Sequence, residues 1–378
     1  MTDPDPLGAR RPRRRRATEE HRGTRVTLQD VADLAGVSVT TASRVVNEGA
    51  RKVGPTMAAR VARAVAELGY QANLPARAVA VGYTSMIGVT VRDIDDPYFS
   101  SIAAGLIEAT DAQRFLVCMS RTSGEREERE YVSLMRGQRA RAVVLVGSRS
   151  ENAAALEALG AEVDAFVTAG GRVACIGQGL LGVDTIMPEN AGGAAALADA
   201  LVALGHRRFA VLAGPRDLLT ARDRVAGFRE GLQTWSVDLD PGCVVEGAFT
   251  RDGGYEAMSA VLSAGNERPD CVFAVNDVMA VGALARLRAE GISVPTDIAV
   301  AGFDDIPTLR DVYPPLTTVR LPLKRMGEMA ASLILSPATS PATSQATSWA
   351  IDAAQDAPRV IPVPGEVILR DSTSPRPP

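Results

Sequence analysis

From Val26 to Asn47 the apolar positions follow a helical period that is interrupted once. Leu28, Val31, Ala32 and Leu34 mark one face of a first helix. Thr27 stands just before them with Asp30 three residues on, the pattern of a capping box. Ala35-Gly36-Val37 breaks the period: Gly36 tolerates a tight turn, and Val37 offers an apolar plug beneath it. Ser38 can cap a second helix that runs to Asn47. On it Val45 and Val46 serve packing, whereas Val39, Thr40, Ser43, Arg44 and Asn47 lie on faces that packing does not need. A third amphipathic helix is predicted over residues 55–68, with Met57, Val61, Val65 and Leu68 on one face, Pro55 in its first turn and Gly69 at its end. Two short helices joined by a tight turn and backed by a third are a helix-turn-helix arrangement, whose second helix enters the major groove of DNA.

The remainder has another rhythm. From Met86 onward, continuous apolar runs alternate with helical patterns: 86–91, 115–119, 142–147, 173–177, 209–214, 271–275 and 298–302. Such runs predict strands buried on both faces, in parallel sheets with helices on either side. About 290 residues of this pattern exceed one doubly wound unit, so two α/β lobes are expected. A last strand is predicted over 366–369. Residues 336–358 contain a Ser/Thr/Ala/Pro stretch without apolar period and read as a surface loop.

Two such lobes form a cleft at the carboxyl ends of their strands. Arg224 follows the strand 209–214, Asn276 ends the strand 271–275, and Asp304 ends the strand near 298–303. Together they offer donors and acceptors to hydroxyl groups. Asp277 reads as a helix cap, Asp305 as a brace of its loop, and Phe249 fits either the cleft or the core.

Charge sharpens the division. The chain has 378 residues and a net charge of −4. Residues 1–82 hold 14 Lys/Arg against 8 Asp/Glu, and the remainder holds 27 against 37. A basic head on an acidic body confines nucleic-acid binding to one end. Residues 1–24, with Arg13 to Arg16, form a basic arm expected to be disordered; phosphate contact and plain solvation both fit it. Cys118, Cys175, Cys243 and Cys271 sit far apart in apolar runs and read as reduced, buried thiols. His21 and His206 are the only histidines, so no zinc site and no histidine-based triad is expected, nor any catalytic residue or cofactor. No apolar run spans a membrane and the polar N-terminus is no signal peptide, so a cytoplasmic, nucleoid-associated protein without membrane partners is expected.

The stretch 26–47, followed by Glu67-Leu68-Gly69-Tyr70-Gln71-Ala72-Asn73, resembles the head of the lactose-repressor (LacI/GalR) family of bacterial transcription regulators, and the resemblance continues to about Ser372. It implies a head at 25–72, a hinge at 73–83 and a two-lobed body at 84–373 shaped like a periplasmic sugar-binding protein. It places 84–205 and 318–342 in one lobe, and 206–316 and 343–373 in the other. It also implies a homodimer on palindromic operator DNA, controlled by a small-molecule effector. Val39, Thr40 and Arg44 would read base edges. Thr27, Leu28, Ser38, Thr41, Ser43, Asn47, Tyr70, Asn73, Ala76 and Arg77 complete the candidate DNA-contacting set, most of them toward phosphates. Val79 matches a residue that wedges into the minor groove, where the family usually has Leu; Ala72 stands where Pro is usual. In the body, Arg224, Asn276 and Asp304 match effector-contacting positions, and Tyr98, Phe99 and Phe249 match ring-stacking ones. Glu189-Asn190 stands where the family often has Asp-Asn and is left outside the candidate site. The resemblance fits a repressor released by a sugar; a purine or nucleoside corepressor uses the same fold. A transport component or an enzyme with a DNA-binding head is disfavoured by the head and by the lack of a nucleophile–base pair.

Overall fold

The computed structural model describes residues 26–48, 53–71, 82–264, 267–336 and 357–375. The chain divides into two units, Met1–Arg77 and Ala78–Pro378. The basic arm, most of the hinge (with Asn73, Ala76, Arg77 and Val79) and residues 337–356 lie outside the described residues.

The first unit contains α1 (Leu28–Ala35), α2 (Val39–Glu48) and α3 (Pro55–Leu68). The capping box forms: the Asp30 amide donates to the Thr27 hydroxyl, and the Thr27 amide donates to the Asp30 carboxylate at 2.8 Å. Gly36 takes a left-handed conformation, φ 62°, ending α1. Its carbonyl accepts a hydrogen bond from Arg60 on α3, which fixes the turn. The core is smaller-grained than the apolar pattern suggested. Val31, Ala32, Ala35, Ala42, Val61 and Ala64 form it, whereas Leu34 and Met57, expected on the inner faces, are 47% and 43% exposed. Alanine allows the close approach of three short helices, and the larger side chains rotate outward.

The second unit runs β1 (Met86–Val91), α4 (Pro97–Thr110), β2 (Leu116–Arg121), α5 (Glu125–Gly137), β3 (Ala142–Val146), α6 (Ala153–Thr168), β4 (Arg172–Ile176), β5 (Asp184–Pro188), α7 (Asn190–Ala203), β6 (Phe209–Ala213), α8 (Leu219–Thr234), β7 (Val244–Glu246), α9 (Arg251–Ser263), β8 (Cys271–Ala274), α10 (Asp277–Ala289), β9 (Ala299–Ala301), β10 (Thr318–Arg320), α11 (Leu323–Leu335), β11 (Val360–Val363) and β12 (Glu366–Ile368). One lobe carries a six-stranded parallel sheet in the order β11-β5-β4-β3-β1-β2, the other a four-stranded parallel sheet in the order β7-β6-β8-β9. β10 and β12 pair antiparallel, and single bridges from Thr317 and Arg320 tie β10 alongside the second sheet. β3, β6 and β8 are buried along their whole length, as their uninterrupted apolar runs require.

The lobes divide the chain differently from the expectation in three places, the first being β10, which lies beside the second sheet. β11 pairs with β5, so 360–363 belongs to the first lobe. α7 packs on α8, so 190–203 belongs to the second. β11 carries Pro362 and follows a low-complexity stretch, which hides it in the sequence; as an edge strand it tolerates the missing N–H. β5, β7 and β10 were not anticipated either, being short and mixed in polarity.

Glycines set the helix spacing. A Cβ on Gly105 of α4 would lie 1.9 Å from the Lys324 carbonyl oxygen of α11, and one on Gly327 would lie 2.0 Å from that of Ile102. The two backbones touch where no side chain fits. Gly105→Ala is therefore expected to destabilise the body by about 1–3 kcal/mol through overpacking. Thermal unfolding checks this; an unchanged midpoint would show that the helices separate freely.

Candidate functional site: an exposed recognition helix and an interlobe cleft

On the head, α2 presents its outer face to solvent. Val39, Thr40 and Arg44 are exposed, with Val39 at 37%. Ser38 caps the helix: the Thr41 amide donates to its hydroxyl at 3.1 Å, and the two hydroxyls lie 2.8 Å apart. Thr27 and Ser38 are exposed, whereas Thr41, Ser43 and Tyr70 are half-buried. Leu28 is half-buried against the head core, so its side chain is committed to packing. The Asn47 side chain lies outside the described residues.

In the body, the strand ends of both lobes converge on a cavity with about 650 Å³ of empty space, open to solvent. The first lobe supplies Arg92 and Asp93 after β1, Asp96, Tyr98 and Phe99 at the start of α4, and Gly147 and Ser148 after β3. The second supplies Asn190 at the start of α7, Thr220 and Arg224 on α8, Phe249 after β7, Asn276 after β8 and Asp304 after β9. All six predicted effector residues line this one cavity. Tyr98 and Phe99 meet edge to face, with ring centroids 5.0 Å apart.

Arg224 organises the second lobe's wall. Its Nε donates to Asn190 Oδ1 at 2.9 Å, one terminal nitrogen to the Val275 carbonyl at 2.7 Å, and the other to Asp304 Oδ1 at 2.8 Å. The guanidinium carbon sits 3.8 Å from the centre of the Phe303 ring. Asp304 holds φ 116°, a region costly for any residue with a side chain. Its amide donates to the Val319 carbonyl at 2.7 Å, and the ion pair fixes its other end. Burial pushes the Asp304 carboxyl up against the pull of Arg224. Asn276, not Asp277, is the N-cap of α10, accepting from the Met279 amide. Asp277 is a buried brace that accepts from the Ile306 amide at 3.0 Å and the Thr318 hydroxyl at 2.7 Å. Burial, then the neighbouring Asp304, raises its carboxyl well above the ordinary value. Asp305 does brace its loop, accepting from Arg320 and Arg370.

The first lobe's wall holds groups that the sequence reading passed over. Asp96 caps α4 by accepting from the Tyr98 amide at 2.9 Å, and burial pushes its carboxyl up to about 7. Arg92 donates to the carbonyls of Ser123 and Ser148, and burial lowers its affinity for its proton. The sequence did carry signals: Asp96 precedes Pro97, an N-cap pattern, and Arg92 and Ser148 each follow a predicted strand. Asn190, set aside on its sequence, is bonded directly to Arg224.

One rim of the cavity is sewn shut. Residues 148–151 of the first lobe meet 217–220 of the second in a short antiparallel contact. The Leu219 amide donates to the Arg149 carbonyl at 3.0 Å, the Glu151 amide to the Asp217 carbonyl at 3.1 Å, and the Thr220 amide to the Ser148 hydroxyl at 3.0 Å. Buried charges pin the first-lobe segment: Arg149 pairs with Glu128, and Glu125 accepts from the amide and hydroxyl of Ser150. A second hollow of about 950 Å³ lies among Arg216, Arg222, Arg229, Glu151 and Glu246, but two of its guanidiniums pair with its own carboxylates and no aromatic ring lines it. Among the described residues no group of His, Cys, Asp and Glu is arranged to hold a metal, and no helix is long and apolar enough to cross a membrane.

Comparison with known proteins agrees with both parts. Residues 27–73 match the family of bacterial regulatory proteins of the lacI type, and 198–373 match the periplasmic binding protein-like domain. The transcriptional regulator CelR of Thermobifida fusca is 32% identical over 323 residues, covering 84% of this chain and 93% of that protein. The chain belongs to the lacI family. The HTH-type transcriptional repressor PurR of Haemophilus influenzae is 30% identical over 83% of the chain and 91% of that protein. Among solved structures, the lac repressor dimer bound to operator and an anti-inducer superposes with a TM-score of 0.75 at 26% identity, covering 93% of this chain and all of that one. A CelR–cellobiose complex does so with a TM-score of 0.63 at 28% identity, covering 92% of this chain and all of that one. This family member is a DNA-binding transcriptional regulator with a helix-turn-helix head and a two-lobed body.

Proposed function

We propose that the protein represses a carbohydrate-utilisation operon. Two copies bind a palindromic operator through Val39, Thr40 and Arg44, with Thr27, Ser38, Thr41, Ser43 and Tyr70 positioning the head on phosphates. A sugar-like effector binds in the cleft against Tyr98, Phe99, Phe249, Arg224, Asn276 and Asp304, and releases the DNA. The observation that carries this reading is the presence in one chain of an exposed recognition helix and of a cleft that sets aromatic faces beside hydroxyl-binding groups. The relatives named for cellobiose and for a ribose operon support a sugar over other effectors. A homodimer is supported by the edge strand β2, whose Leu116 is 60% exposed, and by Tyr313 at 80%.

A thermal-shift screen against sugars, polyols, nucleosides and purines tests the effector class. A ligand at 100 times its dissociation constant adds about 2.7 kcal/mol to the stability of the unit that binds it. Stabilisation by a sugar is expected. Stabilisation by a purine alone would replace repression relieved by a sugar with corepressor control.

A further inference from the structure

We infer that the hollow beside the interlobe rim is a second ligand site, and that it takes a small molecule carrying a diphosphate or two phosphate groups. It is separate from the effector cleft and goes beyond the function proposed above.

The body as a whole is acidic, with 27 Lys/Arg against 37 Asp/Glu over residues 83–378. The hollow runs against that balance: Arg216, Arg222 and Arg229 line it, with only Glu151 and Glu246 as carboxylates. Arg222 and Arg229 stand seven residues apart on α8, so their side chains leave the same face about 10 Å from each other. Arg224, two residues from Arg222, leaves another face and lines the cleft instead. Arg216 comes from the loop between β6 and α8. Pro215, Val225, Pro241 and Val244 supply an apolar wall for the rest of a ligand. The empty space of about 950 Å³ suits a molecule the size of a nucleotide.

The cations of the hollow are loosely held. Arg216 pairs with Glu246, and Arg222 pairs with Glu151 of the first lobe. Both pairs are open to water, with the arginine side chains 85% and 54% exposed. Exposed pairs contribute little to stability, so a ligand displaces their carboxylates at small cost. Arg229 is half-buried and has no hydrogen-bond or ion-pair partner among the described residues. A phosphate matches the guanidinium fork and carries more charge than the carboxylate it replaces. A sugar ring finds no aromatic face here, and a lone carboxylate offers only what Glu151 and Glu246 already give.

Occupation reaches the rim between the lobes. The Arg222–Glu151 pair crosses from one lobe to the other, beside the Glu151 amide that donates to the Asp217 carbonyl. A phosphate that takes Arg222 exchanges an interlobe tie for a ligand contact. The hollow also backs onto the cleft: a Cβ on Gly214, which lines the hollow, would lie 2.4 Å from the Phe249 ring.

Calorimetry on the full-length protein at constant ionic strength, with pyrophosphate, ADP and adenosine as probes, tests the site. Pyrophosphate and ADP are expected to bind, and adenosine is not. The basic head, and Arg92 in the cleft, are the other seats for an anion, so variants assign the position. Arg222→Gln and Arg229→Gln are each expected to weaken pyrophosphate and ADP about tenfold, with thermal unfolding of the free protein unchanged. Arg92→Gln is expected to leave both affinities as they are. Glu151→Gln removes a competitor for Arg222 and is expected to tighten both roughly two- to fivefold. Loss in Arg92→Gln with retention in Arg229→Gln would seat the anion in the cleft and overturn the inference. Retention in all three arginine variants would seat it on the head, and overturns the inference equally. So does adenosine binding as tightly as ADP, weaker binding in Glu151→Gln, or no binding of pyrophosphate and ADP. No sugar enters any of these titrations, so the effector reading stands or falls on its own screen.

Discussion

Arg44→Ala is expected to weaken operator binding by roughly 10- to 100-fold per half-site while leaving ligand binding in the body unchanged. Arg44 stands one turn after Thr40 on the exposed face of α2, outside the head core of Val31, Ala32, Ala35, Ala42, Val61 and Ala64. Its removal opens no cavity, so the head keeps its fold. A guanidinium in the major groove that donates to guanine is worth about 1–3 kcal/mol of discrimination, and a phosphate contact instead lowers binding evenly and shallows the salt dependence by about one unit. Titrations of the variant on matched and mismatched sites at several salt concentrations separate these roles. Intact operator affinity would take Arg44 off the reading surface.

Asp304→Ala is expected to destabilise the body by about 3–5 kcal/mol and to abolish the effector response. The side chains of Asp304 and Arg224 are only 6% and 3% exposed, and the pair closes at 2.8 Å. Removing the carboxylate leaves a guanidinium buried without its counter-charge. The same change strips the cleft of an acceptor and frees a backbone held at φ 116°. Loss of stability alone could silence the response, so a second variant separates the two. Arg224→Met combined with Asp304→Asn removes both charges and is expected to recover much of the stability without recovering the response. Chemical unfolding with and without ligand reads both quantities. A normal response in Asp304→Ala would move the effector contact elsewhere.

Much of this was written in local sequence. The capping box of Thr27 and Asp30, the left-handed Gly36 and the uninterrupted apolar strands each depend on a few neighbouring residues, and each is found where its pattern lies. The cleft residues were legible because parallel strands deliver their carboxyl ends to one place, so a polar residue after an apolar run is marked. What failed depended on distant partners. Leu34 and Met57 fit an inward helical period, but small alanines bring the helices too close for them. β11 joins the first lobe because β5 offers it an edge, a fact about residues 175 positions away. Asp277 looks like a cap, yet its oxygens turn to Ile306 and Thr318 while Asn276 does the capping. Asn190 gains its place from Arg224, 34 residues later in the chain.

The central claim is that ligand binding in the cleft and operator binding by the head are coupled. The most direct test is the affinity of the purified protein for a palindromic duplex, recovered by selection from random sequence, with and without a saturating neutral sugar found by calorimetry. A coupling of about 1–3 kcal/mol predicts a roughly 5- to 150-fold loss of operator affinity when the sugar is bound. Recovery of no specific palindrome, or an affinity unmoved by a sugar that demonstrably fills the cleft, would contradict the account.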